Sequence, residues 1–147
     1  MKTILVPYDG SPYADRALEQ GRKIADSFHG HIILLNVVRV FPPDMDYRAG
    51  LNITAFDKEQ INANHRQDSH RIMADCMLKF TGSKNQPELV ILEGDPADQI
   101  LQYLQDHPVD LVVMGSHGMG SLKHRILAGS VTTKVLHHTE KSVLIVK

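Results

Sequence analysis

The sequence predicts an open, doubly wound α/β fold, Rossmann-like, with five parallel strands in one sheet and helices on both of its faces. Three observations carry that prediction. Short continuous apolar runs occur at 3–6, 32–38, 89–92, 109–114 and 142–146, and a strand covered on both faces reads as such a run, whereas a half-exposed strand alternates. Between the runs lie segments whose apolar residues recur at helical spacing. Strand and helix alternate along the whole chain, and right-handed crossovers are the economical way to connect them.

The first run halts at Pro7 and leads into Tyr8-Asp9-Gly10-Ser11-Pro12. Ser11 is placed to cap a helix with Pro12 as its first residue, and Ala14, Ala17, Leu18, Ala25 and Phe28 extend the helical pattern over 12–28. His29-Gly30-His31 breaks it, and the second run, with Asn36 as its single polar member, completes a strand-helix-strand unit. From 39 to 54 the pattern dissolves around Pro42-Pro43 and Gly50 into a loop longer than most connections in a compact domain. A second helix is predicted over 57–80, marked by Ile61, Ile72, Met73, Cys76 and Phe80. Its middle, 62–69, is almost wholly polar and is expected to stand clear of the core. The third run ends in Glu93-Gly94-Asp95-Pro96, where Asp95 as cap and Pro96 as first residue open a third helix. Ala97, Ile100, Leu101 and Leu104 form its apolar stripe before Pro108 stops it. The fourth run carries one charge, Asp110, and the fifth closes the sequence.

At 147 residues, with 42% hydrophobic and 22% charged, residues 1–147 are expected to form a single domain with a proper core. A formal net charge of −1 gives no global pull toward nucleic acid or anionic lipid, so neither partner is expected. One cysteine, Cys76, can build neither an internal disulfide nor a structural zinc site, which suits a reducing cytoplasm; its expected place is the core. No apolar run approaches the ~18 residues of a membrane span, and the first is too short for a signal peptide. A cytoplasmic protein is therefore expected.

The chemistry concentrates after the fourth run. A strand-to-helix connection in such folds takes ~2–6 residues, yet this one extends from Gly115 to Gly129. Its place, at the carboxyl end of a strand, is where open α/β sheets bind ligands. Gly115, Gly118 and Gly120 permit close approach of backbone to an anion, and Lys123, His124 and Arg125 add positive charge. Gly129-Ser130 then opens the last helix, with Ser130 as a cap and the amides of Val131 and Thr132 at its N-terminus. Phosphate is the natural occupant, although neither the P-loop nor the dinucleotide fingerprint is present. Asp9, at the end of the first strand, has two readings. It is either a carboxylate that bonds a hydroxyl, an amine or a metal, or a turn aspartate holding the amides of Gly10 and Ser11. The nine histidines, including the pairs His29/His31, His65/His70 and His137/His138, lack a ligand set with carboxylates or cysteine. Ser116-His117 with Asp110 does not form the nucleophile-elbow pattern, and adjacent side chains rarely face one another, so no catalytic triad is expected.

Val6-Pro7-Tyr8-Asp9-Gly10-Ser11, Leu34-Leu35-Asn36-Val37-Val38, Gly94-Asp95-Pro96-Ala97, Met114-Gly115-Ser116-His117-Gly118, Gly129-Ser130-Val131 and Ser142-Val143-Leu144-Ile145-Val146, in that order, resemble the universal stress protein family over essentially the whole chain. The resemblance implies a sheet order of 3-2-1-4-5, a homodimer joined edge to edge along the terminal strand Ser142–Val146 and, in one subclass, bound ATP. That subclass carries G-x2-G-x9-G-[ST]. This chain offers Gly115, Gly118, Gly129 and Ser130, with ten residues in place of nine between Gly118 and Gly129. By matching positions, Pro7, Asp9 and Val37 would line the adenine and ribose pocket, and Asp9 would also aid a magnesium or manganese ion held with the nucleotide. Met114, Gly115, His117 and Gly118 would approach the ribose and phosphates, while Gly129, Ser130, Val131 and Thr132 would hold the phosphate chain. The implied ligand is ATP, or AMP or ADP, and the implied role is a nucleotide-dependent stress-response or regulatory module with little or no catalysis. The alternatives are an interaction dimer acting through the Pro42 loop and the polar helix, and a slow ATPase.

Overall fold

The structure is a computed structural model, and it describes residues 2–42, 54–118 and 130–147. Five strands, β1 (Thr3–Pro7), β2 (His31–Val38), β3 (Glu88–Glu93), β4 (Leu111–Gly115) and β5 (Ser142–Val146), form one parallel sheet in the order β3-β2-β1-β4-β5. This is the expected fold and strand order. The order reverses at β1: the chain first moves outward through β2 to β3, then crosses back to β4 on the other side. A crevice opens above the carboxyl ends of β1 and β4 at that switch point.

Alternating residues of the buried strands feed two cores. Ile4, Val6, Ile32, Leu34, Leu111 and Val113 face Ala14, Ala17, Leu18 and Ala25 of α1 (Pro12–Phe28) and Met73 and Cys76 of α2 (Ala55–Leu78). Leu5, Ile33, Leu35, Val112 and Met114 face Ala97, Ile100 and Leu104 of α3 (Pro96–Asp106) and Val135 of α4 (Ser130–His138). The unbroken apolar runs of β1, β2 and β4 follow from this double coverage. Cys76 is fully buried, as expected.

Helix ends follow local chemistry. Ser11 accepts the amide of Ala14 at 3.1 Å with Pro12 behind it, and Asp95 accepts the amide of Asp98 at 3.1 Å with Pro96 behind it. The residue that turns the chain out of α1 is His29, in the left-handed region at φ 52°, and not the neighbouring Gly30. The second helix begins at Ala55, two residues before the expected start. Thr54 and Asp57 form a capping box in which each side chain bonds the other residue's backbone amide. Ser130 is a helical residue of α4, and Gly129 lies outside the described residues together with the basic loop and 43–53.

The polar middle of α2 does not stand clear of the core. Ser69 is buried and donates to Asn36 Oδ1 at 2.5 Å, Asn62 accepts the amide of Phe41 at 2.8 Å, and the His65 ring bonds the Arg39 carbonyl at 2.7 Å. Arg66 adds two bonds to Glu93, at 2.5 and 3.1 Å. These contacts fasten the helix to the carboxyl ends of β2 and β3. A search for apolar periodicity cannot see such docking, because the partners are backbone groups and carboxylates.

Candidate functional site

The β1–α1 turn sets one wall of the crevice. Gly10 takes φ 79°, a left-handed conformation that side chains resist. A Cβ there would also press Ile72 Cγ2 at 3.1 Å. The turn thus carries Asp9 at the mouth, where its Oδ1 accepts the amide of Ser11 at 3.0 Å. That is the turn role, met by one oxygen. The other oxygen, Oδ2, lies toward β4, 2.9 Å from where a Cβ on Gly118 would stand. The turn reading of Asp9 is met in the structure, and the residue lines the cavity as well.

The opposite wall is the end of β4. Gly115 runs against α1 so closely that a Cβ would sit 2.7 Å from Tyr13 Cβ and 2.8 Å from its carbonyl carbon. The amide of Ser116 donates to the Val146 carbonyl at 2.8 Å, which extends the β4–β5 ladder into the loop. Buried Thr132, in the first turn of α4, donates its hydroxyl to the Gly115 carbonyl at 2.9 Å and ties the helix N-terminus to the strand end. Ser116 and His117 do face each other, contrary to expectation: Ser116 Oγ and His117 Nδ1 are 2.9 Å apart. The ring of His117 also stacks obliquely on Tyr13, with centroids 5.0 Å apart. Asp110 is at the other end of β4, where its Oδ2 accepts the amides of Lys2 and Thr3 at 2.8 Å each, so no triad forms.

Between these walls is a cavity of about 670 Å³, within the usual range of small-molecule sites. Pro7, Asp9, Val37, Met114, Gly115, His117, Gly118, Ser130, Val131 and Thr132 all line it. These expected site residues are thus brought together, while Gly129, like Gly120 and the basic Lys123, His124 and Arg125, lies outside the described residues. The positive end of the α4 dipole and its first amides belong to the same wall.

The sequence reading missed the third wall. Asn36, Arg39, His65, Asp68, Ser69 and Ile72 also line the cavity. Asn36 is the key to it: its Nδ2 donates to the Tyr8 carbonyl at 2.7 Å while its Oδ1 receives Ser69. One buried amide thereby joins β2, α2 and the turn that carries Asp9. A lone asparagine in an apolar strand was the available signal, since a buried amide demands partners. Behind the turn, the Tyr8 hydroxyl donates to Asp15 at 2.5 Å, and Lys79 pairs with the same carboxylate. Burial first, and then the Asp15 hydrogen bond, push the Tyr8 hydroxyl far above its ordinary range. Burial alone would raise the Asp15 carboxyl, but the bonds from Lys79 and Tyr8 outweigh it and hold the group below its usual value.

Residues 1–147 match the universal stress protein family along their full length. The chain belongs to the universal stress protein family. A universal stress protein of Thermus aquaticus is 34% identical over 146 residues, covering 99% of this chain and 98% of its relative. The universal stress protein MJ0577 of Methanocaldococcus jannaschii is 30% identical over 155 residues; its solved structure superposes with a TM-score of 0.77 over 99% of this chain and 95% of that one. UspA of Lactobacillus plantarum gives a TM-score of 0.79 at 26% identity, covering 99% and 97% of the two chains. Two more distant universal stress proteins share the fold, one solved in complex with cAMP (24% identity, TM-score 0.60) and one from Arabidopsis thaliana with AMP bound (21%, 0.68).

Among the described residues of this universal stress protein, no group of three histidine, cysteine, aspartate or glutamate side chains is placed to hold a metal by itself. No helix among them is long and apolar enough to cross a membrane.

Proposed function

We propose that the chain binds an adenine nucleotide, ATP in the first place, with the phosphates at the β4–α4 end of the cavity and the base toward Pro7 and Val37. The observation that carries this reading is the convergence of Asp9, the Gly115–Gly118 turn and the first turn of α4 on one cavity. The side-chain-free backbone at Gly118 and the helix N-terminus supply close, positive backbone, which suits a phosphate chain. Relatives of the same fold hold AMP and cAMP, which supports the ligand class. Magnesium or manganese fits as a companion of the nucleotide, because such ions are commonly held by one or two carboxylates plus phosphate oxygens, and Asp9 Oδ2 supplies one.

The nucleotide acts as a regulatory ligand in a cytoplasmic stress-response module with little or no catalysis. Its working form is a homodimer joined along β5, an edge strand on which Leu144 is exposed, as is Leu136 on the adjoining α4. Native mass spectrometry of protein purified without added nucleotide, followed by calorimetric titration of wild type and Gly118→Val, tests the ligand. Co-purified or titratable ATP, lost in the variant, is expected; equal binding by both proteins, or none by either, overturns the reading. A monomer by sedimentation at micromolar concentration overturns the dimer.

A further inference from the structure

We propose that Ser116 is a positioning residue that fixes the ring tautomer of His117, making its Nε2–H a hydrogen-bond donor to the nucleotide's phosphate chain and barring Nε2 from acting as a base. The inference rests on the nucleotide reading above and deepens it.

The argument starts from the 2.9 Å contact between Ser116 Oγ and His117 Nδ1. Two arrangements satisfy that distance. In one, the serine hydroxyl donates to a bare Nδ1; in the other, Nδ1–H donates to the serine oxygen. Ser116 is only 7% exposed, and the histidine nitrogen is the only hydrogen-bond partner of its hydroxyl among the described residues. If Nδ1 carried the proton, the serine hydrogen would be buried with no acceptor, a cost native interiors avoid. The serine therefore donates, Nδ1 accepts, and the neutral ring carries its proton on Nε2.

The ring cannot readily escape this assignment. It leans on Tyr13, which is itself covered by the Arg16 guanidinium 4.6 Å from its centroid. Arg16 Nε in turn donates to the Lys147 carbonyl at 3.0 Å. His117 lines the cavity beside Gly118 and Ser130, and Nε2 has no partner among the described residues. A donor on that wall meets phosphate oxygens, which only accept. The same donor has no lone pair left to take a proton from an attacking water, so the pair favours holding ATP over hydrolysing it.

Two measurements test the proposal. Nitrogen NMR of the His117 ring at about pH 8.5, where an imidazole is ordinarily neutral, reports the tautomer directly: an Nε2-protonated pattern is expected in wild type, turning to a mixture in Ser116→Ala. Calorimetry with ATP and with adenosine supplies the second readout. Ser116→Ala and His117→Ala should each weaken ATP by roughly three- to tenfold and adenosine by clearly less, and the double variant should lose little more than either single one. Ser116→Thr, which keeps the hydroxyl, should restore ATP affinity. An Nδ1-protonated ring in wild type overturns the proposal without any variant, so a Ser116→Ala protein that fails to fold does not shield it. Equal losses for ATP and adenosine also overturn it. Failure of wild type to bind ATP at all, with the tautomer as assigned, overturns the parent reading and with it the phosphate role.

Discussion

Gly115 and Gly118 are three residues apart in one turn, yet the structure predicts opposite consequences for giving each a methyl group. At Gly115 the new Cβ would stand 2.7 Å from Tyr13 Cβ and 2.9 Å from the Tyr13 carbonyl oxygen. The obstacle is largely α1 backbone, so the strand end and the helix must part. Overpacking of this kind costs about 1–3 kcal/mol. At about 2–4 °C per kcal/mol for a chain of this size, Gly115→Ala should lower Tm by about 2–12 °C. At Gly118 the close neighbour among the described residues is Asp9 Oδ2, at 2.9 Å. A carboxylate tip can rotate aside, so Gly118→Ala should keep its stability within about 1 kcal/mol of wild type. It should lose ATP affinity by at least about tenfold, or about 1.4 kcal/mol, because the methyl keeps backbone and phosphate apart. Thermal and denaturant unfolding without ligand, paired with calorimetric titration, separates the two effects. A Gly118→Ala protein that binds ATP as wild type does, or a Gly115→Ala protein with unchanged Tm, would refute the reasoning.

Asp9→Asn keeps an oxygen for the Ser11 amide and removes the charge, so unfolding free energy should stay within about 0.5 kcal/mol while magnesium-ATP binding weakens by about tenfold. Loss of stability with intact binding would make Asp9 a turn residue only. Thr132→Val removes the hydroxyl that bonds the Gly115 carbonyl and should cost about 1–2 kcal/mol in denaturant unfolding, with wild-type stability the contrary result. The Tyr8 hydroxyl has its pKa raised by burial and by Asp15. Its contribution is fully present below the unfolded tyrosine pKa of about 10 and is lost as pH climbs beyond it, when only the unfolded chain can ionise. Stability should therefore fall above about pH 10, less steeply in Tyr8→Phe. Asp15, lowered by Lys79 and Tyr8 against its burial, works in the other direction: its contribution is present above about pH 4 and is lost as pH falls through the folded value, so Asp15→Asn should flatten the acid limb of the same pH–stability curve.

Much of the fold was legible because its driving pattern is local. The bounds of α1 and β5 match the reading, since Ser11-Pro12 opens the one and the other is a continuous apolar run. Two ends moved for chemical reasons that the residues carry: Thr54 and Asp57 are three apart and form a capping box, and Asp110 is spent on the amides of Lys2 and Thr3, leaving β4 to start at Leu111. The site was legible where it uses backbone, at Gly115, Gly118 and the α4 N-terminus, because glycine after a strand and a helix start are marks in sequence. The α2 wall was not. His65 meets the carbonyl of Arg39, and Ser69 meets Asn36, across separations that no periodicity encodes.

That missed wall changes how the site must be understood. If α2 were a free polar rod, the cavity would have two walls and Asp9 would depend on its own turn. Instead the Ser69–Asn36–Tyr8 chain of hydrogen bonds, at 2.5 and 2.7 Å, links α2 to the backbone immediately before Asp9. The outer half of α2 reaches the sheet through Asn62, His65 and Arg66, which bond partly exposed groups, and such bonds contribute little each. Buried Ser69, Met73 and Cys76 anchor the remainder. The path from Asp9 to α2 runs through Tyr8 and Asn36 to Ser69, short enough for double-mutant cycles between Asp9 and Ser69 to measure its coupling.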